Sequence, residues 1–342
     1  MSGIKRLADQ LDISIGTVSR ALNNRPGVNA ETRDKVLRLA QEIGYVANAS
    51  GRNLRSGSTN TVGVVLETGQ QATAGGDNFF LALVDGMQEV LSGDGIDLVL
   101  LPCRRAADPV DFLQRIVRRG IVDSILITAT RQQDPRIELL LQNRVPFLTL
   151  GRSGTPGDYP WVDLDFEGAA RTSIRHLAQT GHRRIATVIP ESDVNLAKVY
   201  KETWIATLAE TGLEYRPDHV IPTEVSENGG MAAAQKILRL SPRPDAITLC
   251  SEQLSIGLYN GLAAGGLRPG RDISVIGFRD NPQLRFLDPA LTSFNLDVTE
   301  LGRFVGAELR SISQGPLGRQ TTRKIWPLAF VSKQSVTVRN QQ

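Results

Sequence analysis

The sequence is poor in what metals, disulfides and membranes require. Cysteine occurs twice in 342 residues, as Cys103 and Cys250. Each sits in an apolar run ("LVLLPC", "AITLC"), which reads as a buried free thiol rather than half of a disulfide or metal pair. The three histidines, His176, His182 and His219, are scattered without zinc-ligand spacing. No run of about 18 apolar residues is present to span a bilayer. The opening "MSGIKRLADQLDIS" carries charge where a secretory signal needs an apolar stretch. A cytoplasmic protein without a membrane partner is expected. A Gly-rich phosphate loop after a strand, a GxSxG elbow and a Cys/His pair are also missing, so neither an enzyme nor a cofactor is expected.

What is present is ordinary globular composition, 41% hydrophobic and 22% charged. The length exceeds what one hydrophobic core supports, so a small module plus a larger, two-lobed body is expected. Charge is unevenly spread. Residues 1–60 hold nine Lys/Arg against five Asp/Glu, a net +4, which leaves −1 for the rest of a chain whose total is +3. A basic module on a near-neutral body fits a polyanion confined to one end, although a solvated basic face gives the same count.

Within that module Ile4, Leu7, Ala8 and Leu11 follow helical spacing. Asp12 and Ile13 interrupt it, and Ser14 is a suitable N-cap for a second helix with Val18, Ala21 and Leu22 inward. Ile15, Gly16, Thr17, Ser19 and Arg20 are left facing outward. A third helix is capped by Asn29, carries Val36, Leu39, Ala40 and Ile43 on one stripe, and stops at Gly44. Two helices joined by a tight turn and braced by a third make a helix-turn-helix; in DNA-binding modules of this kind the second helix meets base edges in the major groove, although helical hairpins with a basic face occur in many other proteins. Small or hydroxyl side chains there allow close approach, and Arg20 suits either guanine or phosphate.

The string "IKRLADQLDISIGTVSRALNNRPGVNAETRDKVLRLAQEIGYVANASGRNLRSGSTNTVGVV" resembles the headpiece and hinge of the lactose-repressor (LacI/GalR-type) family. "TVSRALN" stands as the recognition helix, "TRDKV" as the third-helix start and "GYVAN…LRSGST" as the hinge. The resemblance implies a headpiece over 1–47, a hinge and linker over 48–60, and an effector-binding and dimerisation body over 61–342. It also implies that Ser14, Ile15, Gly16, Thr17, Ser19, Arg20, Asn23, Thr32, Asn48, Leu54 and Arg55 contact pseudo-palindromic double-stranded operator DNA. Residues 49–56 would fold as a helix only on DNA, with Leu54 wedged into the minor groove and Asn48 and Arg55 reaching phosphate or groove edges. Gly51 and Gly57 make that segment too weak to hold a helix alone; the alternative for Leu54 is an exposed linker leucine.

From Thr61 onward, β-rich runs ("TVGVVL", "IDLVLLP", "SILIT", "VPFLTL", "RRIATVIP", "DAITLC", "DISVIGF") alternate with helical patterns, predicting an α/β body with parallel, doubly wound sheets and ligands at the carboxyl ends of strands. "LVDGMQEVL", "DLDFEGAARTSIRHLAQTGHRRIA", "CSEQLSIGLYNGLAAGGLRPGRDISVIGFRD" and "PALTSFNLDVTELGR" extend the resemblance over almost the whole chain. It implies two Rossmann-like lobes of periplasmic-binding-protein type, joined by passes near 162–166, 290–295 and 325–330. No leucine heptad follows "KIWPLAFVSKQSVTVRN", so a homodimer is expected.

The family's pocket, carried over, falls on Asp77, Asn78, Phe79, Phe80, Thr128, Arg152, Asp163, Tyr200, Ser251, Gln253, Arg279 and Asp280. The chain departs from the family pattern in places. Ser251-Glu252 stands for "ND", "GFRD" for "GFDD", and Tyr200 precedes Trp204 where an arginine is usual. Arg279 with Arg152 would clamp an anion, favouring a sugar acid or sugar phosphate over a neutral hexose; alternatively either arginine points to solvent or pairs with Asp280 or Asp163. The expectation is a DNA-binding regulator, a repressor of a carbohydrate operon on the resemblance, cytoplasmic and nucleoid-associated on its operator. Co-repression, activation or a non-sugar effector are the alternatives, and a transporter's solute-binding protein is the rival from a different class.

Overall fold

The computed structural model describes residues 3–22, 24–45, 58–68, 79–104, 108–314 and 321–339. The chain divides into two units, Met1–Thr59 and Asn60–Gln342.

In the first unit, α1 (Gly3–Leu11), α2 (Ile15–Leu22) and α3 (Ala30–Glu42) enclose one small core. Leu7, Ala8, Val18, Ala21, Val36 and Ala40 are buried at its centre, with Ile4, Leu11, Leu22, Leu39 and Ile43 packed around them. The helix ends follow from the capping residues. Ser14 Oγ accepts from Thr17 N at 3.0 Å and Asn29 Oδ1 from Thr32 N at 2.7 Å. Beyond α3, Gly44 takes φ +62°, and Tyr45 N bonds Ala40 O while Gly44 N bonds Gln41 O, the paired bonds of a Schellman end.

The second unit holds two six-stranded sheets with the same internal order. The first runs β11-β5-β4-β3-β1-β2 and the second β12-β10-β9-β8-β6-β7. Their strands are β1 (Thr61–Thr68), β2 (Asp97–Arg104), β3 (Ser124–Thr128), β4 (Phe147–Leu150), β5 (Trp161–Leu164) and β11 (Arg323–Trp326), then β6 (Ile185–Pro190), β7 (Val220–Thr223), β8 (Ala246–Leu249), β9 (Ser274–Arg279), β10 (Thr292–Asn295) and β12 (Ala329–Val331). All neighbours are parallel except β10 and β12. Ile125, Leu126 and Ile127 of β3 and all of β8 are buried, as strands covered by helices on both faces must be.

The helices are α4 (Phe79–Leu91), α5 (Pro109–Arg119), α6 (Pro135–Gln142), α7 (Phe166–Gln179), α8 (Asn195–Glu210), α9 (Glu227–Leu238), α10 (Leu254–Ala264) and α11 (Val298–Gln314). In the first lobe α4 and α11 lie backbone to backbone. A Cβ on Gly302 would strike the Leu83 carbonyl, and one on Gly306 would come within 2.9 Å of the Met87 Cα. Glycine is required there by approach, not by turn geometry.

The chain changes lobe three times. It passes after β5 at residue 165, after β10 at 296–297 and between β11 and β12 at 327–328. The second pass therefore lies beyond residues 290–295, most of which are taken up by β10, where Thr292 and Phe294 are buried against β9. The passes run side by side: Trp326 pairs with Leu164 in one sheet, Asn295 with Ala329 in the other, and Asp165 N bonds Trp326 O at 3.0 Å.

Candidate functional site

Two surfaces carry the sequence-predicted residues. On α2 of the first unit, Ser14, Ile15, Gly16 and Arg20 are exposed and Thr17 and Ser19 half-buried. Ile15 is 47% exposed although apolar, so its side chain is available to a partner instead of the core. Ser14 Oγ lies 2.9 Å from Thr17 Oγ1, and Arg20 Nε donates to Gly16 O at 3.3 Å, laying the guanidinium along the helix. Thr32 is half-buried in the first turn of α3. Asn23, Asn48, Leu54 and Arg55 lie outside the described residues.

The second surface is a cleft of about 340 Å³ between the lobes. It is lined from the carboxyl ends of strands in both sheets: Glu67 from β1, Leu164 from β5, Pro190 from β6, and Phe278 and Arg279 from β9. The loops beyond β3, β6 and β8 add Ala129, Arg131, Ser192, Asp193, Ser251 and Glu252. In each sheet this is the edge at which strand order reverses, where helix N-termini and loop amides converge on a ligand. Phe166 and Phe278 stack with centroids 4.9 Å apart and planes 4° from parallel, forming an apolar wall. Phe79 faces the Arg279 guanidinium at 5.0 Å.

The lobes also touch directly across the cleft. Gln132 N donates to Asp193 O at 3.0 Å, Asn195 N to Thr130 O at 2.8 Å and Asn195 Nδ2 to Arg152 O at 2.9 Å. Arg131 lies 3.6 Å from Glu67 in its own lobe and 3.8 Å from Asp193 in the other.

Of the pocket residues carried over from the resemblance, Phe79, Ser251 and Arg279 line this cleft. Several others stand elsewhere for identifiable reasons. Tyr200 is 1% exposed, turned into the second-lobe core, and burial pushes its phenol well up. Thr128 is buried with its hydroxyl donating to Val65 O at 3.0 Å. Arg152 and Arg279, expected as an anion clamp, are each held by carboxylates of the protein itself. Arg152 Nε bonds Asp163 at 2.8 Å and Nη2 bonds Glu167 at 2.6 Å, while Arg279 Nη2 bonds Glu252 at 2.8 Å. Burial pushes the Asp163 carboxyl up to about 6, with Arg152 offsetting part of the rise. Asp280 pairs with Lys333 at 3.1 Å. Phe80 sits edge-on to Phe79, and neither it nor Gln253 is among the lining residues. Asp77 and Asn78 lie outside the described residues. Glu67, Arg131, Phe166, Asp193 and Phe278 were missed by the sequence reading. All but Phe166, which follows the mixed run of β5, share one signal: a charged or aromatic residue at or just past the carboxyl end of an apolar strand.

Comparison with known proteins places this geometry. The model of bacterial regulatory proteins of the lacI family matches residues 3–48, and that of the periplasmic binding protein-like domain matches 174–336. The HTH-type transcriptional regulator AglR of Rhizobium meliloti (strain 1021) is 32% identical over 97% of this chain and 93% of its own. The chain is a LacI-family transcriptional regulator. The solved complex of the regulator CelR with cellobiose is 26% identical, covers 97% of this regulator and 99% of itself, and superposes with a TM-score of 0.74. The Lac repressor dimer bound to operator and the anti-inducer ONPF shares the fold at 22% identity and a TM-score of 0.83, covering 97% and 98%. This membership removes the enzyme and transporter readings. Among the described residues no helix of the regulator is long and apolar enough to cross a membrane.

Proposed function

We propose that this regulator is a cytoplasmic homodimer that represses a carbohydrate-utilisation operon from a pseudo-palindromic operator, under the control of a neutral sugar bound between its lobes. The observation that carries the reading is the charge balance of the cleft. Arg279 is paired with Glu252 and Arg152 with two carboxylates, so an anionic effector would have to displace an internal partner from either guanidinium. Phe166 and Phe278 offer apolar faces to sugar C–H surfaces, while Glu67, Ser192 and Ser251 offer polar groups to hydroxyls. The cellobiose held by the CelR relative is such a neutral sugar.

Exposed apolar side chains support a second copy as partner: Leu81, Val99 and Leu100 on the first lobe and Phe286, 89% exposed, on the second. Effector-driven movement of the first lobe would reset the separation of the two hinge segments 49–56, which on the family resemblance would fold only when paired on DNA. Repression is the mode the resemblance implies.

The test is operator selection from random DNA, then titration of the complex with neutral sugars, sugar acids and sugar phosphates by fluorescence anisotropy. Release by a neutral mono- or disaccharide is expected. By linkage, operator must change affinity for that sugar by the factor with which the sugar changes affinity for operator. Release by acids or phosphates alone overturns the reading.

A further inference from the structure

Beside the paired arginines, the cleft contains a carboxylate with a different environment. Glu67 lies at the end of β1, its side chain 25% exposed, with Arg131 Nη2 and Arg136 Nη1 each 3.6 Å away. Both distances exceed hydrogen-bond length, so the attraction is of charge alone.

Arg136 does not line the cleft, yet its place is tightly determined. It is 1% exposed, bonds Asp134 through Nε at 2.9 Å and Nη2 at 2.6 Å, and gives Nη2 also to the carbonyls of Thr128 at 3.1 Å and Ala129 at 3.0 Å. Asp134 is fully buried and also accepts from the backbone N of Arg131 and Arg136. Burial acts to raise its carboxyl, but the Arg136 hydrogen bonds hold it below the usual carboxylate range. Only Nη1 of Arg136, buried and without a hydrogen-bond partner among the described residues, is directed at Glu67.

The charges around Glu67 leave it with acceptor capacity. Asp134 neutralises Arg136, and Arg131 is shared between Glu67 and Asp193 of the other lobe. The cluster therefore holds three acids and two guanidinium groups. An oxygen at about 2.8 Å from both the Glu67 carboxylate and Arg131 Nη2 would complete both bonds, donating to the first and accepting from the second. A hydroxyl does both; a carboxylate or phosphate cannot donate and meets the surplus negative charge.

We infer that Glu67 is a specificity-determining acceptor for one effector hydroxyl, and that buried Arg136 is the positioning residue that fixes its carboxylate. This rests on the sugar-effector reading and narrows it to a sugar with a free hydroxyl at that subsite. A site built to hydrogen-bond a hydroxyl rejects the analogue lacking it, because the buried polar group is then left unpaired.

The experiment uses the full chain and calorimetric titration with a panel of neutral mono- and disaccharides that includes cellobiose. For the tightest binder, E67Q is expected to weaken affinity roughly 10–100-fold, the range for a hydrogen bond to a charged group. R136K keeps the charge facing Asp134 but loses the planar fork that reaches Glu67, and should weaken binding about 10-fold. In the E67Q background R136K should cost nothing further; a structural role for Arg136 would give the same loss in both backgrounds. Equal losses, or unchanged binding by E67Q, overturn this inference while leaving the sugar reading intact. Should R136K not fold by circular dichroism, monodeoxy analogues decide: the penalty at one ring position must vanish in E67Q, and a persisting penalty at every position overturns the assignment. Absence of binding by any sugar in the panel removes the sugar reading and this inference together.

Discussion

Replacing Asp163 by Asn should stabilise the body at neutral pH, by an amount that disappears in acid. Asp163 is 4% exposed on β5, and burial outweighs its bond from Arg152 to push the carboxyl from 3.8 to about 6. That rise, from 3.8 to about 6, corresponds to a cost of about 3 kcal/mol for the ionised form in the folded state. The folded protein thus binds this proton more readily than the unfolded chain. The favourable contribution is complete below about pH 4, is lost as pH rises to about 6, and stays lost above. Asparagine still accepts from Arg152 Nε, and Arg152 keeps Glu167, so no charge is orphaned, the usual reason that breaking a buried pair destabilises. D163N is therefore expected to exceed the parent by about 1–3 kcal/mol at pH 8 and to match it within a few tenths at pH 4. Urea unfolding followed by tryptophan fluorescence measures this, since Trp161, Trp204 and Trp326 all lie in the body. A pH-independent difference, or a less stable variant at pH 8, refutes the reasoning.

Arg20→Ala should cost about 1–3 kcal/mol on the selected operator and relax preference at one symmetric pair of positions; equal loss on every sequence in a binding-site array would assign Arg20 to phosphate instead. Leu54→Ala should reduce operator bending in a FRET assay without changing sugar affinity, and an unaltered bend angle removes the wedge. Gly302→Ala should lower the urea midpoint by the equivalent of about 1–3 kcal/mol, because α4 and α11 must separate to admit a methyl group at the Leu83 carbonyl. An unchanged midpoint would mean that the helix pair yields without cost.

The helices and central strands were legible because their burial is written in composition. β1, β3, β8 and β9 are apolar runs, α1 to α3 carry helical periodicity, and α2 and α3 carry caps as well. β5 ("WVDL"), β10 ("TSFN"), β11 ("RKIW") and β12 ("AFV") were not identified as strands, because three or four mixed residues become strands only through the neighbours that pair with them. In the site, a resemblance fixes where a residue falls along an element but not which way that element is turned. Tyr200 is the example: it lies on α8 as expected, on the face that packs inward. Glu67 was overlooked for the opposite reason. An acid ending the run "TVGVVL" is unremarkable until β2 and β3 are known to flank β1 and make its end the point of reversal.

The three adjacent passes limit what the regulator can report. Lobes tied at a single line of neighbouring strands, and rigid within themselves where helices meet at glycine, have one dominant way to move relative to each other. If the cleft takes the effector as proposed, each molecule that enters it would be translated into a position along that single coordinate. Two effectors could then reinforce or cancel each other, but they could not deliver separate messages to the DNA. Selectivity would then be exercised at entry, by the groups that admit or refuse a ligand.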